Sequence, residues 1–119
     1  MAGTMLHLYS VVPVSDRTVA LPWFEIFFGR PADEVIGEEY LWQVGESGWI
    51  VLDDRPVRAD GVGRLQLTLG VTGLDDILAR LTGNGITHEP VETYGNGVRH
   101  VDVLDPDGNR LSLAEAPAS

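Results

Sequence analysis

Hydrophobic and polar side chains alternate with a period of two along several short stretches of the chain. The segment Arg64 to Val71 (RLQLTLGV) shows this most clearly, and Arg110 to Ala114 (RLSLA) repeats it near the C-terminus. Such alternation is typical of a strand that buries one face and leaves the other open. The pattern therefore predicts two strands, each with an apolar face and a mixed face.

Other segments have the length and composition of strands. Leu6 to Val14 is rich in β-branched and aromatic residues, and Val98 to Leu104 is similar. Glu39 to Val44 and Gly48 to Asp53 are joined by a short glycine-containing turn, which predicts a hairpin. A weak additional strand is predicted at Glu34–Ile36.

Two segments have helical periodicity instead. Asp16 is a good N-cap for the first, whose broad apolar stripe continues until Gly29. Pro22 leaves two alternatives, a regular helix that starts at this proline or a kinked first turn. Thr72 to Leu81 places apolar residues at positions i, i+3, i+4 and i+7, which predicts a second helix.

The order of these elements occurs twice along the chain. Aligning Val14-Ser15-Asp16 with Val71-Thr72-Gly73 superposes strand on strand and helix on helix. The sequence therefore predicts an α+β fold in one domain, residues 1–119, with two tandem β-α-β-β-β units at about 5–54 and 63–115. Each helix needs an apolar sheet face to pack on, so each helix is expected to cover one side of the sheet of its unit.

The same burial argument divides the strand residues between two faces. The helix side is expected to receive Leu8, Val12, Leu65, Leu67, Leu69, Val101, Val103, Leu111 and Leu113. The side away from the helices is expected to receive His7, Tyr9, Val11, Trp49, Val51, Arg64, Gln66, Thr68, His100, Asp102, Arg110 and Ser112.

Composition restricts the partners. The formal net charge is −10 with only eight Lys and Arg residues, which argues against nucleic acid. An acidic chain can attract a cationic small molecule, although solubility alone is the simpler explanation of the charge. No cysteine is present, and no segment is apolar over a bilayer-spanning length. We expect a soluble, cytoplasmic protein without a membrane partner.

The turn Asp105-Pro106-Asp107-Gly108, followed by Asn109 and a short closing strand, resembles the closing signature of the vicinal oxygen chelate superfamily. That superfamily includes glyoxalase I, the bleomycin-resistance proteins and the extradiol dioxygenases. The resemblance implies the same fold, in which the two units form a cupped mixed sheet around a central cavity. The helices would lie on the outer face of this sheet, and the other face of each strand would line the cavity. It also implies a homodimer that completes its ligand clefts between subunits, as the bleomycin-resistance proteins do.

The resemblance places the usual metal-ligand positions at Tyr9, Gln66 and Ser112, and a fourth at residues 51–53. A phenol, a carboxamide and a hydroxyl do not bind divalent metals tightly at neutral pH. The chain is therefore expected to hold no metal and no other cofactor. Whether it is an enzyme stays open, and the substituted ligand positions favour a negative answer.

His100 and Asp102 are two residues apart on one predicted strand and point to the same side. They could ligate a metal or form a base with its orienting carboxylate, but a polar wall of a binding cavity is the simpler interpretation. His7 is expected at the rim and His88 on the surface. Trp49 is a candidate for stacking on a planar ligand, whereas Trp42 has the parity of a core residue.

The sequence thus predicts a metal-free protein of the glyoxalase/bleomycin resistance/dioxygenase type that binds a small aromatic or cationic molecule. The expected ligand-binding residues are Tyr9, Trp49, Arg64, Gln66, His100, Asp102, Arg110 and Ser112. Two alternatives stay open. One is a divergent lyase, isomerase or dioxygenase with a non-standard site, and the other is a protein-interaction module with a vestigial cavity.

Overall fold

The structure is a computed structural model that describes residues 2–118. Its regular elements are β1 (Leu8–Pro13), α1 (Arg17–Phe28), β2 (Glu34–Ile36), β3 (Glu39–Val44), β4 (Gly48–Asp53), β5 (Gln66–Gly70), α2 (Leu74–Gly83), β6 (Glu92–Thr93), β7 (Arg99–Leu104) and β8 (Arg110–Glu115). A 3-10 helix, Pro56–Gly61, lies between the two halves. Within residues 2–118, none of the helices has the length and hydropathy needed to cross a bilayer.

The strands form two four-stranded sheets, in the orders β1-β4-β3-β2 and β5-β8-β7-β6. In each sheet the first strand pairs in parallel with the last, and the remaining pairs are antiparallel. The predicted α+β fold of two tandem β-α-β-β-β units is confirmed. The two units contribute separate sheets, each hydrogen-bonded within itself.

Local sequence signals explain where the helices begin and end. The Asp16 side chain accepts a hydrogen bond from the Thr18 amide, and α1 ends at Gly29, which has a left-handed φ of 76°. The helix begins at Arg17 and continues through Pro22, so the alternative in which it starts at the proline is wrong. Helix α2 begins at Leu74, two residues later than predicted, after Gly73 adopts a φ of 68°.

One hydrophobic core connects the two units. The first unit contributes buried residues such as Val12, Phe24 and Trp42, and the second contributes Leu74 and Leu111. A cavity of about 230 Å³ is lined by residues of both units, among them Phe27 and Phe28 of the first and Leu69 and Leu113 of the second.

Two of the expected side-chain positions need correction. Leu8 was expected in the core, but its side chain is 73% exposed because it opens β1 opposite Gly48, which offers no side chain to pack against. Val51 was expected to face the cavity and is only 4% exposed. It lies between its register partners Val11 and Leu41, whose side chains cover it from both neighbouring strands.

Polar contacts join the units at the turn that carries the family signature. The Asn109 amide nitrogen donates to the Pro13 carbonyl oxygen (2.9 Å). The backbone amide and the hydroxyl of Ser15 both donate to the Asp107 carboxylate (3.0 and 2.6 Å). Arg80 of α2 donates to two carbonyl oxygens at the C-terminal end of α1 (3.0 and 2.8 Å). These contacts set the relative position of the two sheets.

Candidate functional site

A polar cavity of about 520 Å³ lies on the open face of the second sheet. Strands β5, β7 and β8 place side chains in it because every second residue of each strand points to this face. The register aligns Thr68 with Ser112 and Ser112 with Asp102, so three polar side chains form one row across the sheet. The cavity is lined by Gln66, Leu67, Thr68, His100, Asp102, Arg110 and Ser112.

Asp102 is at the centre of the hydrogen bonds in this cavity. The Arg110 Nη1 donates to Asp102 Oδ2 (2.6 Å), and the Ser112 hydroxyl donates to Asp102 Oδ1 (2.5 Å). The hydrogen bond from Ser112, together with the one from Arg110, lowers the pKa of Asp102 below its ordinary value. Arg110 also contacts Glu89 (3.2 Å), and the pKa of Arg110 is raised, chiefly by its bond to Asp102. Asp102 and Arg110 are therefore a charged pair at neutral pH.

His100 does not take part in this network. Its Nε2 lies 3.8 Å from Asp102 Oδ1, which is longer than a hydrogen bond, and its ring stacks on Tyr94 with centroids 5.7 Å apart. Both oxygens of Asp102 are engaged by other residues. The carboxylate in this structure orients Arg110 and Ser112 and does not orient the imidazole as a catalytic base would require.

Tyr9 and Trp49 form a second group, on the open face of the first sheet. They are register partners on β1 and β4, and their rings stack with centroids 6.4 Å apart and planes 16° apart. Tyr9 is 55% exposed. Trp49 and Thr68, which also lines the polar cavity, both line a smaller cavity of about 160 Å³ between residues of the two units.

The structure thus brings together five of the eight expected binding residues: Gln66, His100, Asp102, Arg110 and Ser112. Tyr9 and Trp49 pair with each other elsewhere. Arg64 precedes β5, is exposed and does not line the cavity. The reasoning from sequence missed Glu89 and Tyr94 because each lies outside a regular alternating strand and reaches the site through loop geometry.

The other candidate residues have simpler positions. Trp42 is fully buried, packs 5.0 Å from Phe28 and donates from its indole nitrogen to the Arg30 carbonyl oxygen (3.0 Å), so it is a core residue. His7 is exposed and meets the Tyr9 ring edge-on at 6.3 Å. His88 is half-buried, with its Nδ1 2.7 Å from the Glu89 carbonyl oxygen.

No family model and no curated protein matches the chain. Among solved structures, a glyoxalase/bleomycin resistance protein from Catenulispora acidiphila is 34% identical, with a TM-score of 0.84 over 95% of this chain and 100% of that chain. The chain belongs to the glyoxalase/bleomycin resistance protein family.

More distant structures share the fold of this family member. A lactoylglutathione lyase from Agrobacterium tumefaciens is 20% identical, with a TM-score of 0.73 over 91% of each chain. The oxidase ChaP-H1 is 21% identical, with a TM-score of 0.74 over 96% of this chain and 98% of that chain. These two matches show the shared fold, and with the 34% identical glyoxalase/bleomycin resistance protein they support the vicinal oxygen chelate superfamily that the closing turn predicted.

The metal positions of the superfamily do not fit a metal in this family member. Gln66 and Ser112 line the polar cavity, but Tyr9 lies on the other sheet. At the fourth position, Asp53 is paired with Arg55 and Arg58. Across residues 2–118 no three His, Asp or Glu side chains cluster closely enough to hold a metal ion. The donor set is poor in imidazole and carboxylate where a divalent metal needs them.

Asp53 has a structural role at the end of β4. Its side chain is fully buried, and the Arg55 guanidinium donates to both carboxylate oxygens, with 2.7 Å from Nη2 to Oδ2. Arg58 of the 3-10 helix adds a contact at 3.2 Å. The Arg55 hydrogen bond lowers the pKa of Asp53 to about 2, against the opposing effect of burial. The pair holds the connection between the units against the first sheet.

We expect the stability of the protein to depend on pH through Asp53. Because the folded-state pKa is about 2 and the ordinary value is 3.8, the stabilisation is present above pH 3.8 and is lost as the pH falls toward 2. Asp53→Asn should lower the free energy of unfolding by about 1 to 2 kcal/mol at pH 7, since both arginines are partly exposed and solvent screens the pair. Urea unfolding of both proteins between pH 5 and pH 2 measures this difference, which should shrink toward the acid end. A difference that stays constant with pH would contradict the prediction.

Proposed function

We propose that this family member is a metal-free binding protein for a small molecule with aromatic or cationic character. The supporting observation is the convergence of six polar residues from three strands on one cavity of about 520 Å³. Cavities of this size, with a few polar groups at defined positions, are typical of small-molecule sites. The residues at the superfamily's metal positions are better suited to hydrogen bonding a ligand than to holding a metal.

Charge supports the cationic part of this proposal. Arg110 lies between the carboxylates of Asp102 and Glu89, so this side of the cavity carries one positive and two negative groups. The whole chain has a formal net charge of −10. A cleft lined by excess negative charge raises the local concentration of cations. We therefore expect an amine to bind better than an acid that has the same ring system.

The aromatic part of the proposal rests on Tyr9 and Trp49, and it includes a homodimer. Tyr9 is 55% exposed and stacks on Trp49 at an open sheet face. A second copy that places this face over the polar cavity would enclose a ligand between aromatic rings and hydrogen-bonding groups. Dimerisation would also cover the free edge of β1, which is otherwise open to pairing.

The proposal is tested with 2-naphthylmethylamine and 2-naphthylacetate, which share a ring system and differ in charge. We expect the amine to bind more tightly, and we expect Trp49→Ala to weaken its binding by about 2 kcal/mol because a central aromatic contact is lost. Isothermal titration with and without EDTA measures both effects, and EDTA should change neither.

Trp49→Phe is the matched control, since it keeps a ring at the position and should keep most of the affinity. Sedimentation equilibrium on the same samples should give twice the 12.9 kDa chain mass. Affinity that disappears in EDTA would contradict the metal-free proposal. A monomeric mass at micromolar concentration, with full affinity, would contradict the composite site.

A further inference from the structure

A second cavity, of about 500 Å³, lies on the open face of the second sheet. Gly70 and Ala114 line it and are register partners on β5 and β8. Gly70 lies two residues after Thr68 on β5, and Ala114 lies two residues after Ser112 on β8. Thr68 and Ser112 both line the polar cavity. Same-face residues two apart on a strand are separated by about 7 Å. The two cavities are therefore consecutive along one sheet face, the first polar and the second made of small and apolar residues.

The second cavity has a flat floor and an aromatic wall. Glycine and alanine leave the sheet backbone almost uncovered at Gly70 and Ala114, and a Cβ added at Gly70 would meet no atom within 4 Å. His100 is the register partner of Ala114 on β7, and its ring stacks on Tyr94 at 5.7 Å. The register therefore places His100, which also lines the polar cavity, directly beside Ala114.

We propose that these two cavities form one two-part site for a planar aromatic compound that carries a polar substituent. This inference rests on the proposed function and specifies its ligand class. The substituent lies in the polar cavity, where Gln66, Thr68 and Ser112 offer amide and hydroxyl groups. The ring system lies flat over Gly70 and Ala114, beside His100 and Tyr94. Gly70 and Ala114 are the residues that make the site specific for a planar ring system.

The chemistry of the lining explains the preference for a flat ring. A planar ring system can contact an uncovered sheet surface with its whole face and the His100–Tyr94 pair with its edge, which aromatic pairs favour. A saturated bicyclic molecule of the same outline is thicker and has no π-system for this wall. The polar substituent fixes the orientation, because six polar residues line the first cavity whereas Thr72 is, among residues 2–118, the one polar residue that lines the second.

The test compares 2-naphthol with decahydro-2-naphthol, which have the same carbon skeleton and hydroxyl group. We expect 2-naphthol to bind the wild-type protein about tenfold more tightly, and Gly70→Leu to weaken 2-naphthol binding by about tenfold by filling the floor. Gly70 does not have a positive φ and has open space above it, so the variant should fold. Gly83→Leu is the matched control, because Gly83 also has open space but lies on α2.

Each outcome decides the inference. Equal binding of the two alcohols, or Gly70→Leu with affinity within about twofold of wild type, overturns it and leaves the proposed function in place. If the wild type binds 2-naphthylmethylamine but does not bind 2-naphthol, the inference is also overturned and the proposed function also stays in place. A wild type that binds none of these compounds at millimolar concentration overturns both proposals. If thermal unfolding shows that Gly70→Leu is misfolded, Ala114→Leu takes its place with the same expected loss.

Discussion

Asn109→Ala is expected to lower the free energy of unfolding by about 3 to 5 kcal/mol. The Asn109 side chain is fully buried and makes three hydrogen bonds. Its oxygen accepts from the Leu65 amide (3.1 Å), and its nitrogen donates to the Pro13 carbonyl oxygen (2.9 Å) and to Asp105 Oδ2 (2.7 Å). Alanine would leave buried groups of both units without partners, at a cost of about 1 to 3 kcal/mol for each.

The loss extends to the neighbouring carboxylate. Asp105 is only 5% exposed, and burial raises its pKa, whereas its hydrogen bonds to Asn109 lower it. Without the Asn109 amide, the charged form of Asp105 loses a donor that offsets part of its desolvation. The substitution therefore removes the hydrogen bond from Asn109 to Pro13 of the other unit. It also weakens the turn in which Asn109 lies.

Urea unfolding at pH 7 measures this effect, with Asn96→Ala as the matched control. Asn96 also accepts a backbone hydrogen bond, from Val98, but it lies in an exposed turn. Its replacement should cost about 0.5 to 1 kcal/mol. Equal losses for the two variants would show that the buried contacts between units contribute little to stability.

Trp42→Ala is expected to lower the free energy of unfolding by about 4 kcal/mol. The ring is fully buried against Phe28 and Phe24, with centroids 5.0 and 6.2 Å away, so alanine would leave a large cavity in the shared core. The Arg30 carbonyl oxygen would also lose the indole hydrogen bond. Thermal or urea unfolding provides the measurement.

Two further variants separate the contributions at this position. Trp42→Phe keeps a ring and removes the hydrogen bond, so it should cost less than alanine. Trp49→Ala should cost only about 1 kcal/mol, because Trp49 is half-buried on an open face. If Trp49→Ala destabilised the fold as strongly as Trp42→Ala, Trp49 would be a core residue and would be unavailable to a ligand.

Much of the candidate site could be predicted from the alternation of residues along the strands. Gln66, Ser112, His100 and Asp102 were expected on one face, and they line one cavity because side-chain direction alternates along any strand. The same alternation assigned Trp42 to the core and Trp49 to the open face. The pairing partners of Asp102 could not be predicted in this way, since Arg110, Ser112 and His100 all share its face and only distance selects among them.

The fold, too, could be predicted from the sequence only in part. The capping residue Asp16, the helix-ending Gly29 and the repeated order of elements act within a few residues, so sequence patterns reported them well. The prediction that Leu8 lies in the core was wrong. Apolar and polar residues alternate regularly along its strand, but its register partner Gly48 has no side chain that could bury it. The burial of a side chain depends on the element that packs against it, and the residue pattern within one strand carries no information about that element.

The sequence by itself determined the two-unit α+β fold, the residues that share each strand face and the superfamily resemblance of the closing turn. Only the tertiary structure decided how the two units are arranged. Contacts such as Asn109 with Pro13 and Arg80 with the end of α1 join residues more than 50 positions apart. They join the two units around one hydrophobic core and set the position of the polar cavity on the second sheet relative to the Tyr9–Trp49 pair on the first. Local periodicity reflects backbone geometry over a few residues, so it carries no information about such long-range packing.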